Sequence, residues 1–286
     1  MQPSQNPPTW ASLLPLYGKY LESAGRPDTT VKLRCGQIVK LTKTLGVDPL
    51  EVTTELLVDY MGNRNWADNT RATWRASLSG FFKWANGMGH LPTNPAAMLA
   101  TVRVPHGQPK PASDAALEFA STRLDMRTGL MLELGRRAGL RCMEIATLRR
   151  EHVIAETVTK VTKKGKKKKS TIYTLRITGK GGKTRPVPIA EDLGVKLLAL
   201  QPGPIFKGRI DGHISPAYVS KLLSSVLPAG VTGHKLRHRF ATDAYRNSGH
   251  DLLAVKDLLG HASVATTQGY AASSSYELRR AALSAS

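Results

Sequence analysis

Residues 233–240 read Gly-His-Lys-Leu-Arg-His-Arg-Phe, with His234 and His238 four positions apart on either side of Arg237. On a helix this spacing puts both histidines on one face, an arrangement that also suits a zinc ion. The glutamate of a zinc-protease motif is absent, however, and the cations of the stretch would repel a metal ion. We therefore do not expect zinc at this helix.

Three further clusters combine glycine with charged side chains. Residues 139–145 read Gly-Leu-Arg-Cys-Met-Glu-Ile, where Arg141 follows a glycine turn and begins an amphipathic helix. Residues 179–185 read Gly-Lys-Gly-Gly-Lys-Thr-Arg, a glycine hairpin that lacks the spacing and the following helix of a P-loop. Residues 258–261 read Leu-Leu-Gly-His, and Tyr270 follows nine residues later. Taken singly each cluster is ambiguous, because an arginine and a glutamate three positions apart also fit a surface ion pair.

The chain carries 41 Lys and Arg against 21 Asp and Glu over 286 residues, so its net charge is +20. The excess is uneven, because residues 1–105 carry +4 and residues 106–286 carry +16. Basic side chains gain affinity for nucleic acids by releasing counterions from phosphates, whereas a charged surface that only keeps the protein dissolved is the simpler alternative. At this excess we favour nucleic-acid binding, with an affinity that falls steeply as salt rises.

The composition excludes several other classes of protein. Two cysteines, Cys35 and Cys142, do not make a disulfide framework. No run approaches the roughly 18 apolar residues of a membrane span, and the N-terminal residues lack the pattern of a signal peptide. We therefore expect a folded cytoplasmic protein of two domains, since its length is about twice that of a typical domain.

Helices account for the first hundred residues. Apolar spacing and capping residues predict one helix after Trp10, a second over residues 28–46, a third over 53–61 and a fourth from residue 68. The fourth carries a stripe that we expect in the core rather than stacked on bases, formed by Trp74, Leu78, Phe81, Phe82 and Trp84. The pattern predicts a small helical bundle.

Three prolines without apolar periodicity predict a linker over residues 103–111. Beyond it the pattern is helical to about residue 150 and again from about residue 191, while residues 157–189 alternate like β-strands around the glycine hairpin. Lysine occupies seven of the ten positions from Lys160 to Lys169, which we expect to form a loop. For any one of these lysines, contact with DNA and simple exposure to solvent are equally compatible with the sequence.

Taken in order, the four clusters and Thr266-Thr267-Gln268-Gly269 before the tyrosine resemble the sequence boxes of the tyrosine recombinase family, which includes phage integrases and Xer and Cre-like recombinases. The resemblance covers nearly the whole chain. It implies a helical core-binding domain, a SAM-like four-helix bundle, over residues 7–102. It also implies a mixed α/β, mostly helical catalytic domain with a small antiparallel sheet over residues 112–286. The implied catalytic residues are Arg141, Lys180, His234, Arg237, His261 and Tyr270.

The resemblance further implies that Tyr270 attacks the scissile phosphate, giving a 3′-phosphotyrosine and a free 5′-hydroxyl. A phenol of pKa about 10 must lose or share its proton, for which His234 and His261 are the candidates. Lys180 would give a proton to the departing 5′-oxygen, and the two arginines would bind the non-bridging oxygens. With this charge in place we expect no metal and no nucleotide cofactor.

Some assignments stay open. The gap from Arg141 to Lys180 is long for the family, so that a shifted hairpin register would make Lys183 the proton donor. Tyr276 is the alternative nucleophile, and we expect Glu144 to orient an arginine or to support the fold. Only about ten residues precede the first predicted helix, which favours a compact phage-type integrase without a separate arm-binding domain.

Duplex DNA is the expected partner, bound by a homotetramer on two sites, and we allow for a directionality factor or a host DNA-bending factor. The expected activity is recombination for phage or mobile-element integration and excision, in the cytoplasm and at the nucleoid of a bacterial host. Xer-type resolution, relaxation by a type IB topoisomerase and regulation without catalysis are the alternatives. The side chains expected to contact DNA are Thr70, Arg71, Arg75, Lys183 and Arg185.

Overall fold

The computed structural model describes residues 7–105, 110–161, 167–179 and 182–260. The chain divides into two compact units, Met1–His106 and Gly107–Ser286, and each has its own hydrophobic core. Within the described ranges the chain is mostly helical, with eleven α-helices and one three-stranded antiparallel sheet. The predicted fold class is thereby confirmed.

The described part of the first unit contains four α-helices, which lie where the sequence predicts them. Helix α1 begins after Thr9, whose hydroxyl accepts a hydrogen bond from the Ser12 amide, and α2 ends at Gly46 in the left-handed conformation. The four are α1 (Trp10–Ser23), α2 (Asp28–Leu45), α3 (Thr54–Gly62) and α4 (Asp68–Gly87).

Aromatic rings fill the core of the first unit, as the stripe on α4 predicts. Tyr17 of α1 meets Phe81 of α4 edge to face with the ring centroids 5.2 Å apart, and Phe81 meets Phe82 at the same distance. The Trp10 indole reaches across the unit and donates a hydrogen bond to the Val47 carbonyl at 2.7 Å. The stripe is therefore part of the packing, and its rings are not available to bases.

Seven α-helices lie in the described part of the second unit. Helix α6 packs directly against α10, where a Cβ on Gly135 would lie 3.2 Å from the Leu236 side chain. The seven are α5 (Asp114–Ser121), α6 (Met126–Arg137), α7 (Cys142–Ala146), α8 (Glu191–Leu198), α9 (Pro216–Val226), α10 (Gly233–Asn247) and α11 (Leu252–Leu259).

The sheet of the second unit has the strand order β1-β2-β3, with β1 (Val153–Val161), β2 (Lys167–Thr178) and β3 (Thr184–Ile189). β3 pairs with the second half of β2, from Tyr173 opposite Ile189 to Thr178 opposite Thr184. A short further strand, β4 (Lys207–Ile210), lies outside this sheet in a region where helices were expected. Its four residues carry too little alternation to be recognised in the sequence.

The lysine-rich run is not simply the predicted loop. β1 continues to Val161 and β2 starts at Lys167, so that both ends of the run are strand and only residues 162–166 lie outside the described part. Residues 156–161 and 167–172 pair with each other beyond the reach of β3, and we call them the lysine ribbon. Lys160 stands opposite Lys168 in this register.

A tight turn joins α6 to α7 at Gly139. Its φ of +64° is a left-handed conformation that side chains rarely adopt. A Cβ at this position would also lie 2.4 Å from the ring of Phe240 on α10. Only glycine therefore lets the chain turn here and place Arg141 at the start of α7.

Candidate active site

Arg141 is the residue immediately before α7, and both its backbone and its side chain bind Glu144. The Arg141 amide donates a hydrogen bond to Glu144 Oε2 at 2.9 Å, and Arg141 Nη1 donates to Glu144 Oε1 at 3.0 Å. The Arg141 side chain remains 34% exposed, whereas Glu144 is buried. The pair is therefore not the surface ion pair that the spacing also allowed.

Glu144 is the centre of a cluster of three arginines. Arg185 from β3 donates from Nη1 to Oε1 at 2.8 Å and from Nη2 to Oε2 at 3.0 Å, and Arg237 Nη1 lies 3.6 Å from Oε2. Burial raises the pKa of Glu144, but the hydrogen bonds from Arg185 and the Arg141 amide and the charges of Arg185 and Arg237 hold that pKa below its usual value. One ionised carboxylate thus gathers three guanidinium groups and leaves the cluster positively charged.

Arg237 is itself buried, with only 2% of the residue exposed. It comes from α10, and its two terminal nitrogens donate to the carbonyls of Gly139 and Leu259. Since Gly139 lies just ahead of Arg141 and Leu259 ends α11, one guanidinium connects both segments. The predicted arginine pair, Arg141 and Arg237, is therefore assembled around Glu144.

His234 and His238 share one face of α10, with the ring centroids 4.4 Å apart. Burial, together with the charges of Arg237 and Arg141, lowers the pKa of His234 below its ordinary value. Burial and the charges of His234 and Arg237 lower the pKa of His238 to about 4. Both rings are therefore neutral at pH 7, and His234, which is exposed, is able to accept a proton.

An open cleft of about 860 Å³ lies beside the cluster. Four cations and one acid line it, so its electrostatic potential favours an anion such as a phosphate. The charged residues of its lining are Arg141, Lys183, Arg185, Lys256 and Asp257.

Part of the predicted site lies outside the described residues, namely Lys180, His261, Tyr270 and the alternative nucleophile Tyr276. The described chain reaches Gly179, the neighbour of Lys180, and a Cβ there would lie 3.5 Å from Arg185 Nη1 and 3.7 Å from Glu144 Oε1. It also reaches Gly260, the neighbour of His261. The predicted catalytic residues that the structure describes and brings together are Arg141, His234 and Arg237.

The two arginines among the predicted DNA contacts of the first unit bind backbone carbonyls. Arg71 donates hydrogen bonds to two backbone carbonyls at 2.6 and 2.9 Å, and Arg75 donates from Nε to two others at 2.8 and 3.1 Å. Both guanidinium groups therefore hold the backbone of the unit together. Thr70 is exposed at the start of α4. DNA contact by these three residues stays a prediction.

The two hairpin residues differ from each other. Lys183 is exposed beside the cleft, as a DNA contact requires. Arg185 is 8% exposed and its guanidinium is turned inward onto Glu144, an orientation that does not offer it to DNA. The burial follows from alternation along β3, where Arg185 and Val187 share the inner face.

Within residues 7–105, 110–161, 167–179 and 182–260, no three side chains of His, Cys, Asp or Glu gather into a group that could hold a metal ion. In the same ranges no helix combines the length and the apolar character needed to cross a membrane.

The sequence model of the phage integrase family matches residues 112–277, more than half of the chain. The chain belongs to the phage integrase family. This family member is 35% identical to the tyrosine recombinase XerC of Methylobacterium sp. (strain 4-46) in an alignment of 221 positions that covers 68% of this chain and 64% of that relative. It is 32% identical to the XerC of Chromohalobacter salexigens in an alignment of 238 positions that covers 74% of this chain and 73% of the relative. The chain spans less than two thirds of the length of the first of these two relatives.

Solved structures share the fold of this family member. A lambda integrase dimer bound to a COC′ core site superposes with a TM-score of 0.69 at 20% identity, covering 93% of this chain and 77% of that one. The XerH site-specific recombinase bound to difH substrate, a pre-cleavage complex, gives 0.61 at 20% identity, covering 96% and 84%. At this identity the likeness extends to the fold alone.

Sequence reasoning missed the role of Arg185 in this phage integrase family member. Its position at the end of a glycine- and lysine-rich hairpin suggested DNA contact, whereas the structure pairs it with the carboxylate 41 residues earlier. One signal was available, because Arg185 occupies an inward position in the alternation of Thr-Arg-Pro-Val-Pro-Ile. An arginine at a buried strand position needs an acidic partner, and Glu144 was the acid already singled out.

Proposed function

We propose that this chain is a site-specific DNA recombinase, an integrase that cuts and rejoins duplex DNA through a 3′-phosphotyrosine. One observation carries the proposal: Arg141 and Arg237 are held on the buried carboxylate of Glu144 beside a cationic cleft. Guanidinium forks match the oxygens of a phosphate, and a fixed pair stabilises the charge that develops as the phosphorus is attacked. The family membership and the neutral His234 support the same chemistry.

In this mechanism the Tyr270 oxygen bonds to phosphorus while the bond from phosphorus to the 5′-oxygen breaks. The phenolic proton goes to His234 or His261, and Lys180 gives a proton to the leaving 5′-oxygen. The phosphodiester energy is kept in the phosphotyrosine, so that a 5′-hydroxyl of the partner strand reverses the step without a nucleotide. Arg141 and Arg237 supply the positive charge at the phosphate throughout.

The biological role that we propose is integration and excision of a phage or mobile element. Xer-type resolution is the second candidate, and the similarity to proteins named XerC favours it. In both roles residues 7–102 serve as the core-binding domain, residues 103–111 as the linker and residues 112–286 as the catalytic domain. The partner is duplex DNA, bound by a homotetramer in the cytoplasm of a bacterial host, and a directionality or DNA-bending factor is part of the proposal.

A suicide substrate tests the covalent step. This is a duplex whose nicked strand loses a short 5′-hydroxyl fragment after attack, which traps the protein on DNA. We expect a denaturation-resistant adduct with the unaltered chain, none with Tyr270→Phe, and an adduct with the matched variant Tyr276→Phe. Absence of an adduct with the folded, unaltered chain contradicts the proposal, and loss only in Tyr276→Phe moves the nucleophile.

The proton donor is tested with a substrate in which sulfur replaces the 5′-bridging oxygen. A thiolate leaves without being protonated, so this substrate removes the need for a general acid. We expect Lys180→Ala to be slow on the oxygen substrate and to recover on the sulfur substrate. Recovery of Lys183→Ala instead would assign the role to Lys183.

Recombination is separated from relaxation by joining two marked duplexes. A recombinase exchanges strands between them, whereas a type IB relaxing enzyme changes supercoiling on one duplex and joins none. We expect joined product, and relaxation without it would select the topoisomerase alternative.

A further inference from the structure

Arg185 uses every nitrogen of its guanidinium group inside the protein. Nη1 and Nη2 form a two-pronged ion pair with Glu144, at 2.8 and 3.0 Å, and Nε donates to the Leu258 carbonyl at 2.8 Å. Each of the three nitrogens therefore has an acceptor inside the protein, and the residue is only 8% exposed. Three elements therefore meet on one side chain: β3, α7 and the C-terminal end of α11.

The two-pronged pair determines the orientation of the Glu144 carboxylate. Oε1 also accepts from Arg141 Nη1 at 3.0 Å, and Oε2 accepts from the Arg141 amide at 2.9 Å and faces Arg237 Nη1 at 3.6 Å. Both oxygens are thus shared between Arg185 and the phosphate-binding arginines. Because the guanidinium fork is planar and rigid, rotating the carboxylate away from Arg185 would also move the Arg141 side chain.

The same side chain lies against the residues that precede two further predicted catalytic groups. A Cβ on Gly260, next to His261, would lie 2.9 Å from Arg185 Cδ, and the φ of Gly260 is +62°. A Cβ on Gly179, next to Lys180, would lie 3.5 Å from Arg185 Nη1. The backbone thus passes close to Arg185 on both sides, and glycine permits the approach.

We propose that Arg185 is a positioning residue for strand cleavage, which aligns Arg141 and Arg237 through Glu144 and fixes the end of α11 ahead of His261. The proposal rests on the proposed recombinase function. It replaces the predicted DNA contact of Arg185 with an action inside the protein. A displacement of about 1 Å in a catalytic group lowers a rate by about 10²-fold, so the expected effect is on the rate of cleavage and not on DNA affinity.

Arg185→Lys and Arg185→Met test the proposal. Lysine keeps the charge but reaches only one of the three acceptors, whereas methionine keeps the apolar stem and loses the pairing. The readouts are the DNA dissociation constant, the single-turnover rate of adduct formation at saturating DNA, and unfolding in urea. We expect an unchanged dissociation constant for both variants, a rate lowered by about 10²-fold in Arg185→Met, and a partial recovery in Arg185→Lys.

A pH profile adds a readout that a merely structural role would not move. Without the hydrogen bonds from Arg185 the pKa of Glu144 rises. As the pH is lowered, Glu144 is therefore protonated earlier in Arg185→Lys, and its cleavage rate begins to fall at a higher pH than that of the unaltered chain. Arg185→Lys is also the variant that keeps the test informative if Arg185→Met does not fold.

Arg137 provides the matched control. It forms the same two-pronged pair, with Asp192 at 2.6 and 2.7 Å, but on the surface of the second unit with 32% of the arginine side chain exposed. Arg137→Met and Arg137→Lys remove equivalent hydrogen bonds away from the site. We expect neither to change the cleavage rate at saturating DNA or its pH profile.

The outcomes separate cleanly. A raised dissociation constant with an unchanged saturated rate would make Arg185 a DNA contact and overturn the proposal. A lowered unfolding free energy with unchanged rate and pH profile would make it structural only, and would also overturn the proposal. If the unaltered chain forms no adduct, the recombinase function fails first and this proposal fails with it.

Discussion

The two units of the molecule have different interiors. The first is closed by aromatic and aliphatic side chains such as Tyr17 and Phe81, and its buried polar groups are the neutral Gln37 and Ser77. In the second, a carboxylate and two guanidinium groups lie inside, with Glu144, Arg185 and Arg237 each less than 9% exposed. Among the described residues, these are the buried charged side chains.

This difference shows what each interior does. Each ring buried in an apolar core contributes to stability, and it does so without needing a specific hydrogen-bond or ion-pair partner. Buried charges cost desolvation, and well-packed apolar side chains often stabilise a fold as well or better. An interior that keeps three of them beside a cationic cleft is what the proposed chemistry on a phosphate requires. The second unit holds this cluster of charges in addition to an apolar core of its own.

Removing the shared carboxylate should have the largest effect. Glu144→Gln keeps the shape but leaves the guanidinium groups of Arg185 and Arg237 without a counter-charge in a buried place. We expect the unfolding free energy of the second unit to fall by about 3–5 kcal/mol and adduct formation to be lost. Urea denaturation and the suicide substrate measure the two effects.

The surface pair of Arg137 and Asp192 is the control for this variant. Asp192 is 64% exposed, so Asp192→Asn should change the unfolding free energy much less than Glu144→Gln does and should leave adduct formation intact. Similar losses of unfolding free energy and of adduct formation in the two variants would show that the buried position of the Glu144 cluster does not make it more important than a surface ion pair.

Truncating a buried side chain of the first unit should lower stability without changing the cleavage rate. Leu78 is fully buried on α4, and Leu78→Ala should lower the unfolding free energy of that unit by about 2–5 kcal/mol. At a temperature where both units stay folded, the single-turnover rate at saturating DNA should match that of the unaltered chain. A large fall in that rate would mean that the first unit contributes to the cleavage step itself.

A pH titration should distinguish the units next. The folded-state pKa of His238 is about 4, below its ordinary value of 6.5. The unfolded chain therefore binds a proton between pH 6.5 and 4 that the folded chain does not, so this contribution is complete above pH 6.5 and is lost as pH falls towards 4. We expect urea midpoints of the second unit to drop over this range.

Substitution of the histidine identifies the source of the pH effect. His238→Gln should reduce the slope of the dependence between pH 6.5 and 4, and His90→Gln in the first unit controls for the loss of a histidine elsewhere. An equal slope in His238→Gln and the unaltered chain would assign the effect to other groups.

The lysine ribbon should give the smallest effect, on salt dependence alone. We expect the combined variant Lys167→Gln, Lys168→Gln and Lys169→Gln to reduce the slope of log affinity against log salt by about 0.9 for each lysine that contacts a phosphate. Replacing Lys196, Lys207 and Lys221 with glutamine removes the same charge elsewhere on the second unit. Equal slopes in the two triple variants, measured by fluorescence anisotropy, would leave the ribbon lysines as solvated charges.

The sequence predicts the first unit well because its determinants are local. Capping residues such as Thr9, a glycine end at Gly46 and apolar spacing along α4 act within one or two turns of a helix. The hairpin of β2 and β3 was also predictable, because the glycines of the turn and the alternation of the strands are adjacent in the chain.

The features that were not predicted from the sequence depend on residues that lie far apart in the chain. The ends of the lysine run pair as strands, with Lys160 opposite Lys168, whereas the density of lysines in the sequence predicted a loop. Arg185 turns inward because Glu144, 41 residues away, lies beneath β3. The arginine pair was predicted from motif order, and Glu144 was expected to orient an arginine or to support the fold. The pairing of Glu144 with Arg185 is visible only once the elements are packed.

The turn at Gly139 also has a consequence for how substitutions are tolerated. Its backbone is in the left-handed conformation, and the ring of Phe240 occupies the space that a Cβ would need. Its carbonyl accepts a hydrogen bond from Arg237. Any other residue at position 139 would therefore disturb the Phe240 ring, the turn between α6 and α7 and the buried Arg237 guanidinium together. In a saturation screen for recombination, position 139 should be as intolerant as a residue that touches the phosphate, although its own atoms take no part in the reaction.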